Sequence, residues 1–344
     1  MPFEVRIAPD KAGDRAGDVY ELIDTAGMVR AEVWPQWGFN CLRWQIRRAD
    51  GRWGSILYTA PDWETNPVPT RSGHPILFPF PGRLRNGRML FEGTEYQLPL
   101  NDSTKQHSIH GFTPRNRWRV TAWNGGEDSA HVTGEFSLAD DLPEALPNWP
   151  SDFTLNVTYR LYRDRLRVEA TVTNRGPRPL PFGLGYHPYF RLPGVNDPDV
   201  GGHLLQANVR EVWEAENNLP TGRRLPVPPS LDFRVAKAIG ATELDYVYTG
   251  VTTNLPGADG ELRELARLAH PQATGQVRFL ASSRFRELVL FTPPHRQAVA
   301  IEPYTCMADA SNLAAGGVDS GWAALGLGET WSEPVEYRWL TQEL

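Results

Sequence analysis

Apolar and polar residues alternate with a period of two wherever the chain shows a clear pattern, most plainly in Phe153-Thr-Leu-Asn-Val-Thr-Tyr-Arg-Leu161. Such alternation puts every second side chain on one face and predicts a half-buried strand. After Tyr162, Arg163 and Asp164 the pattern resumes from Leu166 to Thr173 and stops at Asn174, Gly176 and Pro177. The two runs therefore predict an antiparallel hairpin. Shorter runs at 19–23, 28–34, 42–46, 118–123, 131–138, 276–280, 288–291, 299–302 and 334–339 predict further strands. Helical spacing is sparse. Residues 139–146 have room for a turn or two, and 260–270, with Leu262, Leu265 and Leu268 three apart, is the best longer helix candidate, although a strand pair also fits. Many short strands without interleaved helices predict an all-β sandwich or barrel.

The Pro/Gly-rich stretches 61–81, 193–202 and 219–229 predict long surface loops, each short for a linker between domains. With no repeat and no low-complexity segment, residues 1–344 read as a single domain. Composition adds three exclusions. At 40% hydrophobic and 22% charged residues, the chain is far from the composition of disordered proteins. A formal charge of -6, from 35 Lys and Arg against 41 Asp and Glu, lacks the basic excess that nucleic acid demands. No apolar run approaches a membrane span, and residues 1–30 lack the pattern of a signal peptide, so the expected location is cytoplasmic. Cys41 and Cys306, far apart in apolar strand-like segments, read as buried thiols and not as a disulfide or a metal site. The 12 Trp, 11 Tyr and 14 Phe suit a β-core and also suit flat ligands such as sugars.

The candidate chemistry is spread along the chain. Gln106-His-Ser-Ile-His-Gly-Phe112 holds two histidines before a turn-forming glycine, yet neither HExxH nor CxxC accompanies them, so no metal is expected. His110 reads equally as a loop histidine bonded to backbone. His187 stands among aromatics in Phe182-Gly-Leu-Gly-Tyr-His-Pro-Tyr-Phe190, where Gly183 and Gly185 mark close approach by a ligand or another backbone; a packed core histidine is the alternative. Glu302 ends the apolar run Ala298-Val-Ala-Ile301, and Asp245 lies between aliphatic and aromatic neighbours; each is a carboxylate where an unpaired charge is costly, or a solvent-facing strand residue. Arg83 follows Pro81-Gly82, placed to reach into a cleft and donate hydrogen bonds, while Arg85 and Arg88 flank Asn86-Gly87, a hairpin-turn signal.

Together, Gly82-Arg83 with Asn86-Gly87, His110-Gly111, His187-Pro-Tyr-Phe190, Leu244-Asp245, and Glu302-Pro303 with Asn312 downstream resemble the aldose 1-epimerase (galactose mutarotase) family. They occur in that family's order, from about Val29 to Leu327-Gly-Glu329. The resemblance implies a β-supersandwich of two large twisted antiparallel sheets with the active cleft on the concave face. It implies Glu302 as general base, His187 as general acid, and His110, Arg83 and Asp245 as groups that hold and polarise a sugar. Two positions depart from the family: Gly82 stands where asparagine is common, and Phe112 where a second glycine is common. The implied reaction interconverts the anomers of a free hexose such as glucose or galactose, with no cofactor or metal and with the protein as monomer or homodimer. One ionised carboxylate and one protonated imidazole suffice for it. Three rivals stand beside it: a glycoside hydrolase using Asp245 and Glu302, a non-catalytic sugar-binding protein, and a hexose 6-phosphate mutarotase with the phosphate on Arg85 or Arg88.

Overall fold

The computed structural model describes residues 1–10, 16–66, 68–252 and 262–341. Phe153–Leu161 and Arg165–Asn174 pair antiparallel, from Phe153 opposite Asn174 to Leu161 opposite Leu166. Their inward residues Leu155, Val157, Tyr159, Leu166, Val168 and Val172 are all buried, as the alternation requires. The hairpin sits inside a nine-stranded sheet ordered Arg119–Gly125, Ala130–Ser137, Phe153–Leu161, Arg165–Asn174, Thr330–Thr341, Gly275–Ala281, Arg263–Ala269, Leu204–Ala207, Lys237–Ala238. A second large sheet runs Leu219–Pro226, Glu211–Glu216, Asp245–Thr249, Glu287–Phe291, Val299–Tyr304, Gly185–Tyr186, Ile76–Leu77, with Tyr189–Phe190 also paired to Val299–Tyr304. A five-stranded meander spans Phe3 to Ser55.

The two large sheets share one hydrophobic cluster, to which Leu288, Leu290 and Ile301 contribute from one side and Phe279, Val335 and Tyr337 from the other. Phe190 meets Phe279 edge-on at 4.7 Å. Each such side chain fully removed from water stabilises the fold by about 1.5–3 kcal/mol. The architecture is the all-β supersandwich that the resemblance implies. Cys41 and Cys306 are free and buried, and burial pushes both thiols up, which makes them poor nucleophiles. Among the described residues no helix is long and apolar enough to cross a membrane.

Every strand expected from alternation is present, and the helical turns at Leu138–Asp141 and Pro143–Asn148 fall where a turn or two was expected. Three expectations fail for identifiable reasons. The helix candidate 260–270 is a strand over Arg263–Ala269, residues 260 and 261 lying outside the described residues. A register shift between Glu264 and Ala266 resets the alternation there, so Leu265 and Leu268 both face the core although three apart. The stretch 219–229 is not a loop throughout: Leu219–Pro226 is the edge strand of its sheet, a place that tolerates Pro220 and Pro226. Residues 72–81 are buried and do not form a surface loop. Their prolines hide the strand signal, but Asn40 satisfies the backbone, donating to Ser72 O (2.9 Å) and accepting from His74 N (2.6 Å). His74 fixes the segment to the nine-stranded sheet through the hydroxyls of Tyr159 (3.0 Å) and Tyr337 (2.8 Å).

Candidate active site

The pleat of Val299–Tyr304 decides where Glu302 points. Val299 and Ile301 enter the shared core, so Ala300, Glu302 and Tyr304 face the opposite side. On the next strand Phe291 lies opposite Ala300, and beyond it Asp245 lies opposite Phe291. Asp245 and Glu302 therefore share one face. His187 follows the short strand Gly185–Tyr186, and its backbone N–H donates to Pro75 O at 3.0 Å. Gly185 stands opposite Tyr304, and a Cβ there would fall 2.6 Å from the Tyr304 ring. The close approach that this glycine signals is made by a side chain of the site.

At the centre, His187 Nδ1 lies 3.4 Å from Glu302 Oε1. The two are not aligned as a hydrogen bond, and Nδ1 has no hydrogen-bond partner among the described residues. The Tyr304 hydroxyl donates to Glu302 Oε2 at 2.7 Å. Glu302 is 1% exposed and His187 8%. Burial pushes the Glu302 carboxyl well above the usual carboxylate range; the Tyr304 hydroxyl opposes this and the nearby Asp245 charge adds to it. Burial likewise pushes His187 down, to about 3. Burial therefore disfavours the charged form of each group, the ionised carboxylate and the protonated imidazole alike.

His110 adopts φ 63 and Gly111 φ 65. Any side chain at 111 would meet Phe78 O at 2.2 Å, so the turn that delivers His110 requires glycine. The His110 ring lies edge-on to His187 at 5.7 Å. Burial, with the charges of His187 and Arg83, drives His110 well below its usual range. Its Nδ1 accepts from Gly82 N–H at 3.2 Å, which leaves the proton on Nε2 and makes His110 a neutral donor. Arg83 pairs opposite Ile109, so the segments carrying Arg83 and His110 are tied together. Its Nε stands 3.8 Å from Asp102 Oδ2. Burial acts to raise Asp102, but hydrogen bonds from Thr104, His107 and Gln106 outweigh it and hold the carboxyl at about 2. Asp245 is exposed to solvent yet crowded by protein, which raises its carboxyl while Arg83 opposes the shift.

The structure thus brings all five sequence candidates, Arg83, His110, His187, Asp245 and Glu302, within electrostatic reach of at least one another. It also adds groups that the sequence did not single out. Tyr304 bonds the carboxylate directly, and Tyr189 stacks on His187 at 4.8 Å. Asp309, 3% exposed, donates its N–H to Arg83 O (2.7 Å) and accepts from Arg85 N (3.0 Å), which fixes the Arg83 loop. Its signal was only an acid two residues before Ser311-Asn312, too weak to read.

Asn86-Gly87 is not the tip of a hairpin: Arg83–Leu84 pairs with Ser108–Ile109, and Arg88–Phe91 pairs with Thr94–Gln97. Arg85 is paired to Asp309 (3.3 Å) and Arg88 to Glu95. Phe112 packs against Trp149 in the core and not in the cleft wall, while Asn312 lies away from the acid/base pair, bonding Arg88 O and Leu90 N. Two cavities, of about 460 and about 510 Å³, contain none of the five candidates, so the buried carboxyl–imidazole pair is what marks the candidate site. Among the described residues no three His, Cys, Asp or Glu side chains converge to hold a metal.

The family model for aldose 1-epimerase matches residues 20–338. The chain belongs to the aldose 1-epimerase family. It is 28% identical to the uncharacterized Escherichia coli protein YihR over 69% of this chain and 71% of that protein. It is 25% identical to rat galactose mutarotase over 57% of this chain and 55% of that protein. Among solved structures, a galactose mutarotase-like protein from Clostridium acetobutylicum superposes with TM-score 0.84 at 21% identity, covering 98% of this chain and 99% of that one. Galactose 1-epimerase from Lactobacillus acidophilus gives 0.72 at 18% identity, covering 98% and 99%. At these identities the structural likeness establishes the aldose 1-epimerase fold for this chain.

Proposed function

We propose that this member of the aldose 1-epimerase family interconverts the α and β anomers of a free aldose by acid/base ring opening at the Glu302–His187 pair. The observation that carries the reading is the buried carboxyl–imidazole contact at 3.4 Å, with Tyr304 on the other carboxylate oxygen. Ring opening takes the proton from the C1 hydroxyl and gives one to the ring oxygen, so the C1–O5 bond breaks as the C1 carbonyl forms. Rotation about C1–C2 and closure on the other face, with the proton movements reversed, yields the other anomer. One proton on the pair suffices. As the sugar enters, that proton passes from Glu302 to His187; the Tyr304 hydroxyl and the sugar's own hydroxyls stabilise the carboxylate so formed. Glu302 then takes the C1 hydroxyl proton, His187 protonates the ring oxygen, and His110 Nε2–H and Arg83 donate to the sugar oxygens.

The reading gives a bell-shaped pH profile with displaced limbs. Activity requires one proton on the pair and falls at low pH when the imidazole takes a second. Burial places that step at about 3, far below an ordinary histidine. At high pH the pair loses its last proton, above the ordinary carboxylate range, because burial raises Glu302. Replacing Tyr304 with Phe removes a donor that favours the carboxylate, so the alkaline limb is expected to move to higher pH while turnover falls about tenfold. A rate–pH profile of that variant checks this; an unmoved alkaline limb would remove Tyr304 from the account. Exhaustive chelation is expected to leave turnover unchanged, and loss restored by one divalent ion would contradict the assignment of every proton step to protein side chains.

Glu302 has the His187 imidazole at one oxygen and the Tyr304 hydroxyl at the other, and this carboxyl–imidazole pairing supports proton exchange at a free anomeric centre. Exchange NMR on free aldoses, with buffer-only controls, is the test. Anomer exchange above the buffer rate supports the reading. Reducing-sugar release from a glycoside, or binding without exchange, contradicts it.

A further inference from the structure

The sheet face that carries Glu302 holds a second buried carboxyl, which the mutarotase reading does not use. Leu288 and Leu290 enter the shared core, so Glu287, Val289 and Phe291 face the side of Glu302. In register, Val289 stands opposite Glu302 and Glu287 opposite Tyr304. On the strand Glu211–Glu216, Val212 enters the core, which turns Trp213 to this same face. The Trp213 Nε1–H donates to Glu287 Oε2 at 2.9 Å. Glu287 is 0% exposed, and its Oε1 has no hydrogen-bond partner among the described residues. Burial raises its carboxyl, against hydrogen bonds from Trp213 and Thr249 and the charges of Arg286 and Arg224.

A buried carboxyl with one oxygen unpartnered is costly, and an apolar side chain of similar volume in its place is often neutral or stabilising. Packing alone therefore does not account for an acid at 287. What its bond does is hold the Trp213 indole, which is buried and packs with Met307 and Ala308. Ala308 in turn seats the turn before Arg83. Gly82 has φ 67, and a Cβ there would fall 2.6 Å from the Ala308 Cβ, so glycine is what lets the backbone lie against that methyl group. The Gly82 N–H donates to His110 Nδ1 at 3.2 Å, and Asp309, which follows Ala308, donates its N–H to Arg83 O at 2.7 Å. Arg83 and His110 are thus both tied to a segment seated on Ala308.

We propose that Glu287 is a positioning residue: by fixing the Trp213 indole against Met307 and Ala308, it sets where Arg83 and His110 stand relative to Glu302. The inference rests on the mutarotase reading and gives its sugar-holding arm a support set apart from the reacting groups. The contacts of Glu302 with His187 and Tyr304, and of His187 with Tyr189, do not involve Trp213. Loss of the Glu287–Trp213 bond therefore weakens the hold on the sugar and leaves the proton steps in place.

The test compares wild type, Glu287→Gln, Glu287→Leu and the double variant Glu287→Leu/Trp213→Phe. Anomer-exchange kinetics and calorimetric binding are measured with glucose and galactose, and each protein is melted thermally. Glu287→Gln keeps an acceptor for the indole N–H, so its KM and Kd are expected within about twofold of wild type. In Glu287→Leu, KM and Kd are expected to rise about tenfold with kcat within about threefold, the pattern of lost binding common to ground and transition states. The double variant leaves no unpaired indole N–H, so its melting temperature is expected to return toward wild type while its affinity stays low. A merely structural role would not separate the two. Unchanged affinity in Glu287→Leu, a loss confined to kcat, Glu287→Gln as impaired as Glu287→Leu, or affinity that recovers together with the melting temperature in the double variant overturns the proposal. Where Glu287→Leu alone fails to fold, the double variant against wild type carries the comparison. Absence of exchange on both sugars in wild type rejects the mutarotase reading, whereas exchange in wild type with affinities unmoved by the substitutions rejects only the role of Glu287.

Discussion

Glu302→Gln is expected to lower anomer exchange about 10²–10⁴-fold, the usual contribution of one positioned acid or base, while sugar binding is mostly retained. The amide keeps the size of the carboxyl group and an oxygen for the Tyr304 hydroxyl, which now donates to Glu302 Oε2 at 2.7 Å. It neither carries the transferable proton nor accepts one at any working pH. The loss should therefore appear in kcat and leave KM little changed, the signature of an interaction made in the transition state. Near wild-type exchange in this variant would remove Glu302 from the mechanism.

His187→Asn should have a comparable effect, because the imidazole is the other terminus of the same proton path, 3.4 Å from Glu302 Oε1. The combined variant is then the more informative one. If the two side chains act as one unit, the first substitution already abolishes the shared step, and the second costs little more. Kinetics of the single and double variants check this, and losses that multiply fully would show two independent roles. Stability separates a folding defect from a catalytic one, since His187 also stacks on Tyr189 at 4.8 Å and its removal leaves a gap in that aromatic layer.

The parts of this protein legible in its sequence are those in which one residue carries its own signal. Strands such as Phe153–Leu161 alternate because one face is buried, and the pattern survives as written. His187 and Glu302 stood out because each is a polar group inside an apolar run, which physics permits only with a partner. Signals that depend on pairing were hidden. The bulge in Arg263–Ala269 broke the alternation, and the prolines of residues 72–81 disguised a buried core segment as a loop. Tyr304 lies two residues from Glu302 on one face of its strand, a neighbour that period two makes legible, whereas Asp309 acts on Arg83 and Arg85, residues brought near only by the fold. The burial that raises the Glu302 carboxyl and lowers the His187 imidazole comes from the packed fold, which linear sequence does not display.

The most direct test of a shared-proton mutarotase site is magnetisation exchange between the α and β anomeric signals of an aldose, recorded across pH with wild type, Glu302→Gln and buffer alone. The panel includes glucose, galactose, glucuronate and glucose 6-phosphate. The account predicts exchange well above buffer for at least one sugar in wild type, falling toward the buffer rate in Glu302→Gln, and an acid limb far below the ordinary histidine range. Exchange no faster than buffer for every sugar, or equal rates in wild type and Glu302→Gln, would contradict it.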